Sequence, residues 1–157
     1  MEEREPRPLR EEAVLLPCPA LSGVEVLRAS YRTQSFAWHS HEAFAFGVIE
    51  RGGLAFRFRG IREVAGCGQV SLALPGESHT GHGADREGWG YRMFYVPPEL
   101  LVSVARETAP ARRGLPPLLA GVLQDRELAR RIGALHRRVE ARDASPLELP
   151  ERLGATL

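Results

Sequence analysis

The stretch Phe36-Ala37-Trp38-His39-Ser40-His41-Glu42-Ala43-Phe44-Ala45-Phe46-Gly47-Val48-Ile49-Glu50 decides how this chain is read. Two histidines stand at i and i+2. Alternate side chains of an extended strand share a face, so His39 and His41 open into one space. Phe44 to Ile49 is apolar throughout, as in a strand buried on both faces. A third histidine, His79, follows Leu74-Pro75-Gly76-Glu77-Ser78 at the end of another strand-like run. Imidazoles converging from two strands make a metal site, a ligand pocket or a hydrogen-bonded wall.

Working outward, the pattern from Val24 to Val96 is one of short strands. Val24 to Ala29 and Phe36 to His39 precede the apolar run. Arg51-Gly52-Gly53 breaks it, and Phe56-Arg57-Phe58-Arg59 then alternates apolar with basic, the mark of a half-buried strand with Arg57 and Arg59 on the wet face. Arg59-Gly60 and Gly66-Cys67-Gly68 read as turns around Ile61 to Val64. Val70 to Leu74 and Tyr91 to Val96 complete the set. Many short strands with closely spaced turns indicate a sandwich or barrel.

Beyond Pro98 the period changes. Glu99 to Glu107 suits a short helix with Pro98 in its first turn. Residues 109–117 hold three prolines and form a connector. Asp125 is the expected N-cap of a helix running to about Arg142. On it Leu128, Ile132, Leu135 and Val139 fall at spacings of four, three and four, a narrow apolar stripe flanked by Arg130, Arg131, Arg137 and Arg138. The expected layout is an arm over residues 1–19, a barrel over 20–98 and a helical region over 99–157.

The composition excludes several classes. The chain has 157 residues, enough for one domain with a real core, and a net charge of +1, which gives no broad field for nucleic acid or membrane. Its two cysteines, Cys18 and Cys67, cannot make a disulfide framework, so a cytoplasmic location is expected. No apolar run reaches bilayer length, and Met1 to Glu12 lacks the apolar core of a secretory signal. There is no Gly-x-Ser-x-Gly elbow and no phosphate-binding loop. All of the basic side chains other than histidine are Arg.

The spacing His-x-His, a glycine-closed hairpin, and a later His after a short strand resembles the two motifs of the cupin barrel, here His39 to Gly52 and Gly68 to His79. The resemblance implies a mainly β fold, a double-stranded jelly-roll barrel with a pocket in its mouth, followed by C-terminal helices. In metal-binding cupins a Glu completes the site; by spacing, Ala45 stands there, while Glu42 falls on the opposite strand face. A closer resemblance covers Ser30 to about Leu149. The stretch quoted first, with Leu74-Pro75-Gly76-Glu77-Ser78-His79-Thr80-Gly81 and Gly88-Trp89-Gly90-Tyr91-Arg92-Met93-Phe94-Tyr95-Val96-Pro97, looks like the N-terminal domain of AraC-family transcriptional regulators. That likeness implies a barrel that binds a small-molecule effector and helices that form a homodimer. In that family DNA is bound by a further helix-turn-helix half. Nothing here reads as helix-turn-helix, so the chain is expected to be the effector half alone.

The expected pocket residues are Trp38, His39, His41, His79, His82, Tyr91 and Arg92. Arg92 suits a ligand carboxylate, and the aromatics suit an apolar ligand body. Each has a plainer reading. Residues such as Trp38 and Tyr91 are more often core than ligand contacts, His82 lies in a glycine-rich loop, Gly81-His82-Gly83, and His136 is expected on the helix surface. His39, His41 and His79 are also the candidate ligands of a divalent metal ion; no other cofactor and no catalytic residue is expected. A small metal-dependent cupin enzyme, of dioxygenase or isomerase type, is the alternative function. The stripe Leu128, Ile132, Leu135 and Val139 reads either as a dimer seam or as the face that packs back on the barrel.

Overall fold

The computed structural model describes residues 10–21, 23–108, 110–111 and 121–143. Its strands are β1 (Glu12–Pro17), β2 (Glu25–Tyr31), β3 (Ser35–His39), β4 (Phe44–Phe58), β5 (Ile61–Gly66), β6 (Val70–Ala73), β7 (His79–Gly83), β8 (Trp89–Val96) and β9 (Gly121–Leu123). The helices are α1 (Pro98–Thr108) and α2 (Arg126–Glu140). The barrel and its helical tail are therefore as expected, within the described residues. Most of the expected arm lies outside them, but its end is not an arm: Glu12–Pro17 pairs with β2 along its length.

All strand pairs are antiparallel. One sheet runs β1-β2-β8-β4-β6-β9; the other joins β3, β7, β4 and β5. The long strand β4 belongs to both. Its first half pairs with β6 and β8, its second half with β5 and β7. The break expected at Arg51-Gly52-Gly53 is instead a bend inside one strand. The register against β8 slips between Ile49 and Arg51, and Gly52 takes φ 64°, a left-handed conformation that glycine reaches without steric penalty. The glycine-rich segment Gly81-His82-Gly83 is not a loop but the second part of strand β7, which pairs with β3 and β4.

Strand alternation builds two cores. Phe44, Phe46 and Val48 of β4, with Phe94 and Val96 of β8, face the helices. Ala45 and Ile49 of β4, with Tyr91 and Met93 of β8, face the space between the sheets. This is why the run Phe44 to Ile49 carries no polar residue.

Helix α2 begins where Asp125 Oδ1 accepts a hydrogen bond from Leu128 N at 2.9 Å. Ile132, Leu135 and Val139 are buried in the core with Phe46 and Phe94, and Leu128 packs beside them. The stripe thus packs on the protein's own barrel and presents no open seam. Burial of these three side chains contributes roughly 2 kcal/mol each. His136, expected on the surface, is 1% exposed. The buried face of α2 is wider than the stripe and includes Ala129 and Gly133, so His136 lies inside it. Its ring meets Phe94 edge-on at 5.4 Å, its Nε2–H donates to Leu27 O at 3.1 Å, and its Nδ1 accepts from Arg92 at 3.1 Å.

Burial, then the neighbouring Arg92 guanidinium, pushes the pKa of His136 down to about 4. Glu140 and Glu50 face it and act in the opposite direction. The folded value lies below the unfolded one, so the unfolded chain takes the proton first. The stabilisation is complete above pH 6.5 and is lost as the pH falls toward 4. Over that window His136 is expected to remove roughly 3 kcal/mol, or about 5–10 °C of melting temperature at this size. A His136→Gln variant should flatten part of the fall in a melt series from pH 7.5 to 4.5, because buried His41 and His79, whose pKa values are also lowered, still titrate in it. Retention of the full slope in that variant would place the titrating group elsewhere.

Candidate functional site

Between the two sheets lies a cavity of about 330 Å³, within the size range of small-molecule sites. β8 supplies one wall with Trp89, Tyr91, Met93 and Tyr95, every second residue. β4 supplies the other with Leu54, Phe56 and Phe58. Tyr31 and Phe36 close one side, and His39, His41, Glu77 and His79 line another part of the wall. The rings form a continuous set. Tyr31 lies 5.2 Å from Trp89 and 5.5 Å from Phe36, and His41 lies 5.3 Å from Tyr95.

The three histidines do converge. Their ring centroids are 4.4 to 5.1 Å apart, and one nitrogen from each falls within 4.8 Å of the others. His39 Nδ1 donates to Ala37 O at 2.7 Å, and His79 Nδ1 donates to Glu77 O at 2.9 Å. A carbonyl oxygen only accepts, so each Nδ1 carries the proton and each Nε2 presents a lone pair. Burial pushes the pKa of His41 down to about 4, with His79 and His39 adding to the effect. Burial also lowers that of His79. These two rings are neutral at physiological pH. Burial pushes Tyr95 up to about 12 and raises Tyr91 further, so both phenols keep their protons.

The set fits a divalent metal in part. Backbone acceptors on two imidazoles orient the Nε2 lone pairs, as in zinc sites. A common ion needs nitrogens about 3.3 Å apart, so the rings must close by at most roughly 1.5 Å. Ala45 lies in the cavity wall and offers no oxygen. Glu77 Oε2 lies 2.5 Å from Arg59 Nε, off the line of the N–H, and is committed to that ion pair.

Four of the seven expected pocket residues line it: His39, His41, His79 and Tyr91. Trp38, 58% exposed, does not. The register of β3 slips between Phe36 and His39, which turns those two inward and leaves Trp38 outside. His82 is one residue out of phase with Gly81, faces outward, and bonds Ala55 O at 3.1 Å through Nδ1. Arg92 is corrected most sharply. It alternates with Tyr91 and Met93 and so points away from the cavity, toward α2. There it meets Glu50 at 3.0 Å, Glu140 at 2.5 Å and His136. Arg28 shares Glu140 at 2.6 Å, and Arg137 also reaches Glu50. Burial would raise the Glu140 pKa, but hydrogen bonds from Arg28 and Arg92 hold it below the usual carboxylate value.

The reading from sequence left out Tyr31, Phe36, Phe56, Phe58, Trp89, Met93 and Tyr95. A signal for three of them was present. Once Tyr91 is inside, period two places Trp89, Met93 and Tyr95 inside as well.

The fold has known counterparts. A RmlC-like cupin protein of double-stranded β-helix fold from Methanocaldococcus jannaschii is similar over 60% of this chain and 87% of its own, at 8% identity and a TM-score of 0.51. A conserved protein of unknown function from Streptococcus pyogenes covers 57% of this chain and 75% of its own, at 16% identity and a TM-score of 0.49. An oxalate decarboxylase variant from B. subtilis aligns with 55% of this chain at 14% identity and a TM-score of 0.49, and the chain spans a quarter of that protein's length. No curated protein matches the chain. A family model does, over residues 21–157, so that strands β2 to β9, the pocket lining and α2 fall within it. By that match the chain belongs to the family of AraC-like ligand binding domains.

Proposed function

We propose that this chain is the cytoplasmic effector-sensing half of an AraC-type transcriptional regulator. On this reading its barrel takes up a small molecule, and DNA is bound only through a separate helix-turn-helix half. The observation that carries the reading is the aromatic-lined cavity between the sheets in a chain of this family. Strand β8 supports a route for the signal. Tyr91 and Met93 touch the cavity while Arg92 and Phe94 hold α2 from the opposite face. A ligand that shifts β8 therefore acts on the seating of α2, provided it binds one seating more tightly than the other. Homodimerisation is part of the reading, through a face other than the buried stripe of α2.

The convergence of His39, His41 and His79 favours a second reading, a small metal-dependent cupin enzyme. A bound metal would supply Lewis-acid or oxygen-activating chemistry, held by those three rings. One experiment separates the two. Metal-free protein is screened by thermal shift against neutral and charged small molecules, alongside elemental analysis of freshly purified protein. The sensor reading expects less than a tenth of an equivalent of metal and a ligand that raises the midpoint by about 5–10 °C near a hundredfold excess over Kd. That rise should be lost in Met93→Trp, which fills the cavity. Stoichiometric iron, nickel or manganese that disappears in His41→Ala would establish the enzyme reading instead.

A further inference from the structure

The cavity wall also says what kind of molecule it accepts. We infer that the ligand is an uncharged, flat aromatic compound carrying a hydroxyl that donates to the histidine cluster, and that it is not a carboxylate. This rests on the sensor reading and names the effector's class.

The first argument is charge. Among the described residues no arginine lines the cavity, and the chain has no lysine. Among the described residues the one carboxylate or guanidinium in the wall is Glu77, itself an anion and paired with Arg59. Arg92 cannot swing in to help. Its side chain is 12% exposed, on the far face of β8, and its donors are held by Glu50 and Glu140. An anion drawn from water into this space would lose its hydration with no cation to replace it.

The second argument is hydrogen-bond polarity. With Nδ1 of His39 and His79 donating to backbone carbonyls, both Nε2 atoms are acceptors. A carboxylate is acceptor-only and meets lone pairs there, whereas a hydroxyl donates. The third argument is shape. Phe56 and Phe58 stack at 27° on one sheet, and Tyr31, Trp89 and Tyr91 face them from the other. These are apolar faces that match a ring system. Trp89 is fully buried, and its indole N–H has no acceptor among the described residues, a donor that an oxygen-bearing ligand or a trapped water can satisfy.

The test uses three matched probes, 2-naphthol, 2-naphthoate and 2-methoxynaphthalene, titrated calorimetrically at pH 8 in EDTA. At that pH histidines of ordinary pKa are neutral. The expected order is naphthol tightest, at least tenfold over naphthoate and at least fivefold over the methyl ether. Binding of naphthol should vanish in Met93→Trp and lose its advantage over the ether in a His39→Phe, His79→Phe variant. If naphthoate binds as tightly as naphthol, the class is wrong while the pocket reading stands. Equal binding of naphthol and its ether overturns the hydroxyl-to-histidine contact. If no probe binds but the thermal-shift screen finds a polar or charged ligand, the class fails and the sensor survives. If the screen also finds none, the sensor reading fails with it.

Discussion

Replacing Leu135 and Val139 together with Glu should leave a chain that no longer folds cooperatively. Both side chains are buried beneath the sheet, at 5% and 9% exposure, in the core that holds Phe46, Phe94 and Ile132. Two carboxylates placed there either stay charged without partners or take up protons, and each route costs several kcal/mol. Their sum reaches the whole stability of an ordinary domain, about 5–15 kcal/mol. The expected record is a flat thermal melt and loss of near-ultraviolet dichroism, with aggregation in light scattering. A dimer seam behaves differently, because its disruption yields a folded monomer. A folded monomer of the double variant with an unchanged melting temperature would contradict the packing of α2 on the barrel.

Gly52→Ala should have the second largest effect. Gly52 has φ 64°, and an added Cβ would stand 1.9 Å from Gly88 O and 3.2 Å from the Cα of Trp89. The neighbour cannot retreat, since Gly88 has φ 78° and its own Cβ position is 2.1 Å from Tyr31 O. Three backbones therefore meet at the point where β4 crosses between sheets. We expect a loss of about 3–5 kcal/mol and a melting temperature lower by roughly 10–15 °C. Gly60→Ala is the control. Gly60 has φ 74° but nothing within 4 Å of the added atom, so it carries only backbone strain of about 1–2 kcal/mol. Equal losses in the two variants would show that crowding at Gly52 is not the cause. Because Trp89 adjoins the clash, Gly52→Ala should also weaken any ligand of the cavity.

The elements readable from sequence were those set by period and punctuation. Pro98 and Asp125 mark the helix starts, and the apolar run Phe44 to Ile49 foretells a strand covered on both faces. The histidine cluster was readable because two of its rings lie on strands that pair directly, His39 opposite His79, while His41 stands two residues past the end of β3. What escaped depends on phase and tertiary path. A glycine that ends a strand and a glycine that bends one look alike, so β4 read as two strands. A register slip of one residue in β3 moved Trp38 from the pocket to the solvent. Arg92 was misplaced for the same reason. Its neighbour Tyr91 was placed in the same pocket, and adjacent residues of a strand cannot share a face. His136 sits beside the narrow stripe of α2, and only the breadth of the sheet beneath shows that the buried face extends to it.

The alternation along β8 has a consequence for how such a domain can be retuned. Odd positions, Tyr91, Met93 and Tyr95, touch only the cavity side; even positions, Arg92, Phe94 and Val96, touch only the helix side. Substitutions at odd positions can reshape what the barrel accepts without disturbing how α2 is seated. On the proposed sensor reading, those at even positions would reset the strength of the response without altering what triggers it. Ligand choice and output gain would then be written on opposite faces of one eight-residue strand, each open to change while the other is held fixed.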